Sequence, residues 1–361
     1  MTYNNFREDL MEQFVGLDVS QQETHVCVVD RDGVALWRGT CASSPAQIAA
    51  IINEKAPSAV RVGLETGPLA TWHWHALKAL GLPVICIDAR HAKAVLSMQI
   101  NKTDRNDAYG LAQIMRTGWY REVGVKSLDA HKVRAILGAR AQLVGMRTDL
   151  RNQIRGLLKV FGIILERHGG KSFQARVMQV AQDDGIPGQS LQALLAILTS
   201  IERQLDRLNR IASNQARLNP ICRNLMTIPG VGALTAVAFV AAIEDPRKFA
   251  KSTSVGAYFG LTPKRYQSGE TDLSGRVSKC GDGLVRVYLY EAANSLLVGS
   301  RKWSSLKAWG MRFAKRSGMN KAKVAVARKL AVIMHQMWTT GEEFRWSNTV
   351  NDAAQVEVPA A

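Results

Sequence analysis

Short apolar stretches that end in or contain a carboxylate constrain the fold of this chain most. Asp18 lies inside the apolar run of residues 14–20, and Glu65 ends a second apolar run, residues 60–65. An acid within or at the end of a buried strand costs free energy unless a cation meets it. Both runs have the length of a strand, so the pattern predicts buried strands with acidic side chains towards their ends.

The first third of the chain predicts a mixed α/β sheet. The predicted strands are residues 14–20, 24–30, 34–41, 60–65 and 84–88, and the predicted helices are residues 45–55, 69–80, 89–97 and 104–117. Strands that alternate with helices after an opening meander favour a sheet with helices on its faces. Asp104 and Asp107 lie three residues apart at the start of the last of these helices, so both carboxylates point to one side.

Four carboxylates, those of Asp18, Glu65, Asp104 and Asp107, are therefore candidates for one site. Ligand sets made only of oxygen indicate a hard divalent cation such as Mg²⁺. Two such ions can hold the attacking and the leaving oxygen of a phosphodiester. The alternative for Asp104 and Asp107 alone is that they only cap a helix.

The charge of the chain indicates what that site acts on. A formal net charge of +17 and an isoelectric point near 9.9 point to a polyanion, with DNA or RNA first and an acidic membrane surface second. Lys102 precedes the paired acids and Arg105 lies between them, where both either contact phosphates or are simply solvated.

The apolar runs and the cysteines indicate the compartment in which the protein works. The longest apolar run, residues 233–243, is too short to span a bilayer, so no membrane partner is expected. The chain starts with polar and acidic residues rather than a signal peptide. Its five cysteines form no CxxC pair, which favours reduced thiols in a cytoplasmic protein and argues against a zinc site.

Residues 126–218 change to a helical pattern. Leucine and isoleucine recur there at heptad spacing, at Leu191, Leu194, Leu198, Ile201, Leu205 and Leu208. The spacing predicts a pair of long helices, packed as an antiparallel or intersubunit coiled coil or as an ordinary helical subdomain. Residues 169–187 between them are polar and contain glycine, so they are predicted to be a loop or the tip of a helical hairpin.

Residues 225–236 have the pattern of a helix-hairpin-helix. A Pro-Gly-Val-Gly turn stands between two helical stretches, with glycines at Gly230 and Gly232. Such a turn and the helix start after it present backbone N–H groups to one phosphate, independently of base sequence. The alternative is a tight turn between packed helices.

Residues 259–282 are rich in glycine, serine and basic side chains, which predicts a surface loop that binds phosphate. The basic candidates for phosphate contact are Lys264, Arg265, Arg276 and Lys279. Ser268 is a possible nucleophile, but the residues alone pair no base with it, so a structural or phosphate-contacting hydroxyl stays open.

The end of the chain has two further features. Ten Lys or Arg residues and no acid occur between residues 292 and 341, and the role of this basic region, residues 301–329, is left open. Residues 341–361 are rich in small residues and acids, and are predicted to be a disordered tail.

Taken in order, these motifs resemble the DEDD transposases of bacterial insertion sequences, the group that also contains the Piv pilin-gene invertase. The matching stretches are residues 16–20, 64–67, 102–108, 228–232, 258–263, 266–269 and 278–281. The resemblance implies an α/β plus α architecture. Its parts would be a RuvC-like, ribonuclease-H-type catalytic domain at 10–125, a helical coiled-coil segment at 126–218, and a small helical transposase domain with the helix-hairpin-helix and the serine loop at 219–340.

The resemblance also implies roles. Asp18, Glu65, Asp104 and Asp107 would bind Mg²⁺, and Ser268 would attack DNA, with Ser252, Ser274 and Ser278 as the other serines to consider. A structured non-coding guide RNA from the element would pair with donor and target DNA. The protein would act as a homodimer or homotetramer with an active site shared between subunits. The chain departs from the pattern at Cys280, where a basic residue is usual.

Three other functions remain at this stage. A RuvC-like nuclease would use water as the nucleophile and need no serine. A small-molecule kinase of the actin-like fold also begins with a strand, an aspartate and a hairpin, but it needs a second glycine-rich phosphate loop, for which the C-terminal half offers a basic helical region instead. In a non-catalytic nucleic-acid-binding protein the four acids would repel phosphate without a metal.

Overall fold

The computed structural model describes residues 12–97, 103–165, 171–182 and 188–347. The chain forms two compact units, residues 1–127 and 128–361. The helices of residues 128–218 belong to the same unit as the C-terminal helices, while the three-domain division drawn from the sequence stays a prediction. Lys102 and the end of the predicted tail, residues 348–361, lie outside the described residues.

The first unit contains a five-stranded mixed sheet, as the sequence predicts. Its strands are β1 (Gln13–Val19), β2 (Glu23–Val29), β3 (Ala35–Ala42), β4 (Ala59–Glu65) and β5 (Val84–Ile87), in the order β3-β2-β1-β4-β5. The meander β1-β2-β3 is antiparallel, and β4 and β5 are added in parallel on the other side of β1. The helices that the structure describes in this unit are α1 (Pro45–Lys55), α2 (Ala70–Ala79), α3 (Ala89–Leu96) and α4 (Asp104–Thr117).

Alternate side chains of β1 point into different cores. Val15 and Leu17 pack with Ile48 of α1 and Leu77 of α2, whereas Phe14 packs on the other face with residues of α4. This is the period-2 pattern of a strand buried on both faces. Helices therefore cover both faces of the sheet, and α4 lies on the face opposite to α1 and α2.

The second unit begins with a helical pair. The helices are α5 (Leu128–Val160), α6 (Lys171–Val180) and α7 (Gly188–Leu218). The end of α5 packs with the start of α7, through Ile154, Leu158 and Leu191, and Leu137 early in α5 shares a core with Ala216 late in α7. The two long helices are therefore antiparallel within one chain.

Two local predictions in this region need correction. Part of the segment predicted as a loop or hairpin tip, residues 169–187, is the helix α6, whose Phe173 and Val177 are buried against α7. On α7, Leu195 is fully buried and Leu194 only half-buried, so the buried positions do not follow the strict heptad. The reason is that α7 packs on both α5 and α6, which widens its apolar face beyond a coiled-coil seam.

The remaining α-helices and strands of the second unit are α8 (Pro220–Leu225), α9 (Ala233–Ile243), α10 (Ser254–Tyr258), β6 (Pro263–Ser268), β7 (Thr271–Val277), α11 (Gly283–Asn294), α12 (Ser305–Ser317) and α13 (Met319–Thr340). The helices among them pack around one hydrophobic core. The core is formed mainly by α9, α11 and α13 and includes Phe239, Leu289 and Leu330. Most of the region predicted as a surface loop, residues 259–282, is instead an antiparallel β-hairpin, β6–β7, at residues 263–277.

Candidate active site

Asp18 and Glu65 lie side by side at one edge of the sheet. The parallel register of β1 and β4 pairs Leu17 with Leu64, so the next residues, Asp18 and Glu65, are opposite each other at the carboxyl ends of the two strands. Neighbouring strands are about 4.8 Å apart. Both acids are half-buried, which is the position that the sequence predicts for them.

Two glycines bring α4 against this part of the sheet. A Cβ on Gly16 would lie 2.1 Å from the carbonyl oxygen of Ala108 and 2.3 Å from the amide nitrogen of Ala112. A Cβ on Gly63 would lie 2.5 Å from the side chain of Met115. Because side chains alternate along a strand, the residues two positions further on, the two acids, share the face that α4 covers.

The direction of α4 brings the other two acids to the same edge. Met115 is near the end of α4, and its side chain packs against Gly63 of β4. The carbonyl oxygen of Met115 accepts a 2.7 Å hydrogen bond from Nη1 of Arg61, nearer the start of β4. The start of α4 therefore points towards the carboxyl ends of β1 and β4. Asp104 and Asp107 occupy its first turn, while Thr103 is the N-cap, accepting from Asn106 N. The acids are thus not needed as caps, although the helix dipole favours them there.

The four acids have the donor chemistry that a divalent cation requires, but they do not form a closed ligand shell. Among the described residues, no three Asp, Glu, His or Cys side chains are close enough to hold one ion together. Arg105 is exposed on the first turn of α4, between the two aspartates. We call Asp18, Glu65, Asp104 and Asp107 the acidic edge. To share one cation, these side chains would have to move closer together.

Two further acids at this edge were not found from the sequence. Glu122 lies opposite Ile87 in an isolated antiparallel bridge, and Ile87 pairs with Glu65. No local pattern marks Glu122, because it follows no predicted strand. Asp88 directly follows β5, but its carboxylate caps α3, and its hydrogen bond with the Arg90 side chain lowers the pKa of Asp88 to about 2. Asp88 therefore has a structural role.

The other candidate group, in the second unit, is the exposed hairpin β6–β7. Ser268 is the last residue of β6 and pairs with Thr271 across a two-residue turn, in which Gly269 has a φ of +55°. A glycine at the first position of such a turn is typical of type II′. Residues 263–276 are all exposed, so Ser268 is presented to solvent at the tip.

The basic side chains of the hairpin differ in their surroundings. Arg265 forms two hydrogen bonds with the carboxylate of Asp272, at 2.8 and 2.6 Å. This pairing raises the pKa of Arg265 and lowers that of Asp272. Lys264, Arg276 and Lys279 are exposed. All four stay predicted phosphate contacts, and Arg265 would have to share its charge with Asp272.

The base of the hairpin explains two of the sequence motifs. A Cβ on Gly260 (φ +67°) would lie 2.3 Å from the carbonyl oxygen of Cys280, and a Cβ on Gly281 (φ +75°) would lie 2.1 Å from that of Tyr258. The two segments thus cross in backbone contact, where only glycine fits. Lys279 N donates to Gly260 O at 3.1 Å.

Arg286 of α11 holds this crossing and was not found from the sequence. Its Nη1 donates to the carbonyl oxygens of Cys280 at 2.8 Å, Phe259 at 3.1 Å and Gly281 at 3.3 Å. The contact joins α11 to both ends of the hairpin. An arginine on a helix has no local signal for such a role, since the three carbonyls come together only in the fold.

The neighbouring Asp282 links the same region to α5. It caps α11, accepting from Leu284 N and Val285 N, and forms an ion pair with Arg134. Burial of Asp282 opposes ionisation, but the hydrogen bond and charge of Arg134 outweigh it, so the pKa of Asp282 is lowered.

The other serines of the unit occupy different settings. Ser274 is exposed on β7, and the Ser278 hydroxyl accepts a hydrogen bond from Cys280 N at 3.4 Å. Ser252 lies 2.9 Å from Nδ1 of the buried His335, whose Nε2 is 2.9 Å from the carbonyl oxygen of Pro246. If Nε2 carries the proton, it donates to Pro246 and Nδ1 accepts from Ser252.

The helix-hairpin-helix contains one packed and one open glycine. Gly230 has a φ of +89°, and a Cβ there would lie 2.4 Å from the carbonyl oxygen of Ala292 on α11. Packing therefore accounts for this glycine. Gly232 is exposed at the start of α9, with nothing within 4 Å of a Cβ. Contact of either glycine with phosphate stays a prediction.

A mixed sheet with an acidic edge, in a strongly basic chain, is the combination expected of an enzyme that acts on the phosphodiesters of nucleic acid. Comparison with known proteins names the class. A DEDD model of the IS110 type, described as transposase, matches residues 15–163. A second, described as the transposase IS116/IS110/IS902 family, matches residues 222–308.

Curated relatives agree with both matches. The transposase for insertion sequence element IS1111A of Coxiella burnetii is 29% identical over 345 residues, covering 92% of this chain and 91% of the relative. A probable family 20 transposase of Pseudomonas aeruginosa is 28% identical over 89% of this chain and 95% of its own length. The putative transposase y4pF/y4sB of Sinorhizobium fredii is 30% identical over 76% of this chain and 71% of its own length.

The chain therefore belongs to the DEDD transposases of bacterial insertion sequences, in the IS110 family. It is a DNA transposase, which sets aside the kinase and the non-catalytic binding protein.

The five cysteines are free thiols. Within the ranges described by the structure, none of the helices is long and apolar enough to cross a membrane.

Proposed function

We propose that this transposase cuts and rejoins DNA through a covalent link to Ser268. The acids of the acidic edge would bind Mg²⁺ at the scissile phosphate. The observation that carries the proposal is the presentation of Ser268 at the exposed tip of a hairpin whose base Arg286 holds. A hydroxyl at such a position is accessible to a strand as bulky as DNA.

The proposed reaction needs no energy source, because one phosphoester bond forms for each one that breaks. Oγ of Ser268 forms a bond to phosphorus while the bond from phosphorus to a DNA oxygen breaks. The hydroxyl proton of the serine leaves to solvent, and the released DNA oxygen takes up a proton. A DNA hydroxyl then attacks the phosphoserine, reforms a phosphodiester and frees the serine. When bound, a divalent cation supplies positive charge to the phosphate oxygens.

The basic candidates would position the strand. The proposed phosphate contacts are Arg105 beside the acids, the four basic residues on and beside the hairpin (Lys264, Arg265, Arg276 and Lys279), and the backbone N–H groups after Gly230 and Gly232. Lys102, which lies outside the described residues, belongs to the same set from its place in the sequence. Such contacts fix orientation and carry no sequence information. Specificity would then come from a guide RNA of the element that pairs with donor and target DNA, with the protein acting as a homodimer or homotetramer.

The covalent step has a direct test. DNA that carries the ends of the element and a labelled strand is incubated with the protein and Mg²⁺, and covalent protein–DNA adducts are separated under denaturing conditions. We expect Ser268→Ala to abolish both adduct and joined product. Ser274→Ala, on the opposite strand of the same hairpin, is the matched control and should retain both. Asp18→Asn should lose both.

The same experiment distinguishes a serine nucleophile from the alternative, a RuvC-like nuclease that uses water. If Ser268→Ala still cleaves DNA while Asp18→Asn does not, water is the nucleophile and the serine mechanism is wrong.

The guide RNA is tested by sequencing the RNA that co-purifies with the protein. A discrete RNA encoded by the element would support it, whereas bulk cellular RNA alone would contradict it.

A further inference from the structure

The Lys and Arg side chains of the basic region, residues 301–329, form two sets: one is partly buried against the fold and the other is exposed. Four of its ten lie partly buried against the fold. Lys307 donates to the carbonyl of Ser300, Lys323 lies 5.8 Å from the ring centre of Tyr290, and Lys329 lies 4.1 Å from that of Trp309. The side chain of Arg328 fills the space beside Gly256. Lys323, Arg328 and Lys329 contribute to packing of α13, as aliphatic stems with charged ends can, and Lys307 joins α12 to the segment before it.

The outward set is concentrated at the end of α12 and the start of α13. Arg312, Lys315 and Arg316 are exposed and follow the i, i+3, i+4 spacing of one helix face. Lys321 is exposed in the first turn of α13, just after the Gly318 turn. We call these four residues the α12 basic face. No ion pair among the described residues includes any of them.

The sequence around this face supplies no compensating acid. The nearest acids along the chain are Glu291 in α11 and Glu342 after α13. Helix α13 has 22 residues and is therefore about 33 Å long, so Glu342 lies at its far end. Glu342 also pairs with Arg345. A cluster of cations without acids creates a positive potential that attracts a polyanion.

We propose that the α12 basic face binds the sugar–phosphate backbone of duplex DNA. Three cations within about one helical turn can contact neighbouring phosphates of one strand without reading bases. In the part of the chain that the structure describes, the aromatic side chains beside this face are Phe313 and Trp309, and each ring is covered by a cation. Arg316 lies over Phe313, 5.5 Å from the ring centre, and Lys329 lies over Trp309. The face therefore offers no free ring to stack on an unpaired base, which favours a duplex over a single strand. The proposal depends on neither Ser268 nor a metal.

The test measures affinity of the full-length protein for a random-sequence duplex by fluorescence anisotropy over a range of salt concentrations. The variant combines Arg312→Gln, Lys315→Gln and Arg316→Gln. Because each phosphate contact releases counterions, we expect affinity to fall about 10- to 100-fold at about 0.1 M salt, and the logarithmic salt slope to become shallower by about 2 to 3.

A matched control removes the same charge elsewhere. Arg203, Arg207 and Arg210 are also exposed on one helix, α7, but Glu202 and Asp206 lie between and beside them. Changing these three to glutamine should reduce affinity by less than about threefold. Equal losses in the two triple variants would show that net charge rather than this face binds DNA, and would overturn the proposal.

Two further outcomes decide between ligands and guard against misfolding. A loss that is larger for a structured RNA hairpin than for the duplex would assign the face to RNA and overturn the proposal. If the triple variant melts at a lower temperature than the wild-type protein, Lys315→Gln alone replaces it, with an expected change in salt slope of about 1. An unchanged slope in that variant would also overturn the proposal.

Discussion

Gly16 is the residue on which the position of α4 depends most directly. Its missing side chain lets backbone atoms of Ala108 and Ala112 approach to distances that no Cβ tolerates. We predict that Gly16→Ala lowers the free energy of unfolding by about 2–3 kcal/mol, since a backbone cannot move aside as a flexible side chain can. Urea denaturation followed by circular dichroism measures this change.

Gly67 offers the control for that substitution. It follows Glu65 closely in the chain, and nothing lies within 4 Å of a Cβ placed on it. Gly67→Ala should change the free energy of unfolding by less than about 0.5 kcal/mol. If the two alanine variants were equally stable, the close approach of α4 to β1 would not hold in solution.

The ion pair of Asp282 and Arg134 predicts a pH-dependent contribution to stability. Asparagine is as good an N-cap as aspartate, so Asp282→Asn removes mainly the charge. Because this carboxylate is largely buried, we expect a loss of about 1.5–3 kcal/mol in the free energy of unfolding at neutral pH. Urea denaturation of both proteins across pH measures the difference.

The direction of this pH dependence follows from the lowered pKa. Folding depresses the pKa of Asp282 below its unfolded value of about 3.9, so its stabilisation is complete above that value and is lost as pH falls through the folded pKa. The wild-type protein and the Asn variant should therefore converge in acid. A difference that persisted undiminished there would mean that the cap, and not the charge, carries the effect.

Residues with local signals could be predicted, and residues defined by distant contacts could not. Ser44 caps α1 before Pro45, and the four acids occupy the elements expected of them. Arg134 meets Asp282 across a separation of 148 residues, and Arg286 meets carbonyls that only the folded chain assembles. No periodicity marks such partners. The same limit applies to Gly230, whose packing partner is on another helix.

At the scale of elements, the hairpin β6–β7 depends on its base. Its exposed strands contribute no buried side chain to a core, and Arg286 joins the two segments from which they emerge. We predict that Arg286→Lys leaves the melting temperature within a few degrees but speeds amide hydrogen exchange in residues 263–277 about tenfold. Lysine cannot reproduce the planar donor geometry of the guanidinium.

Hydrogen exchange read by mass spectrometry tests this, with Arg276→Lys as the control. Arg276 is exposed on β7 itself, so its replacement changes the hairpin without touching the base. Exchange in residues 263–277 should be unchanged in that variant. Unchanged exchange in the Arg286 variant would show that the backbone crossing at Gly260 and Gly281 holds the hairpin without the arginine.

The elements that the sequence predicts well are those with a buried face. The strands and helices of the first unit each bury a regular set of side chains, so hydrophobic periodicity marks them. The hairpin has both faces in solvent and therefore shows no alternation, which is why its composition reads as a loop. Leu194 and Leu195 show a similar limit, because α7 packs on two helices and both positions are apolar.

At the scale of the whole molecule, the hydrophobic clusters follow the two compact units. Two clusters contain only residues between 14 and 125, and the other two only residues between 133 and 344. The acids of the acidic edge belong to the first unit and Ser268 to the second. The catalytic groups proposed for one reaction thus come from parts of the chain with separate cores.

This separation predicts that residues 1–127 and residues 128–361 each fold when expressed alone, because each keeps all members of its clusters. Each fragment should melt in a single cooperative transition followed by circular dichroism. A third fragment, residues 161–361, serves as the control. It lacks α5 and so loses Leu137 from one cluster and Ile154 and Leu158 from another, and we expect a broad transition. If residues 128–361 melted as broadly as that control, the second unit would need the first to fold, and the catalytic groups would share one folding unit after all.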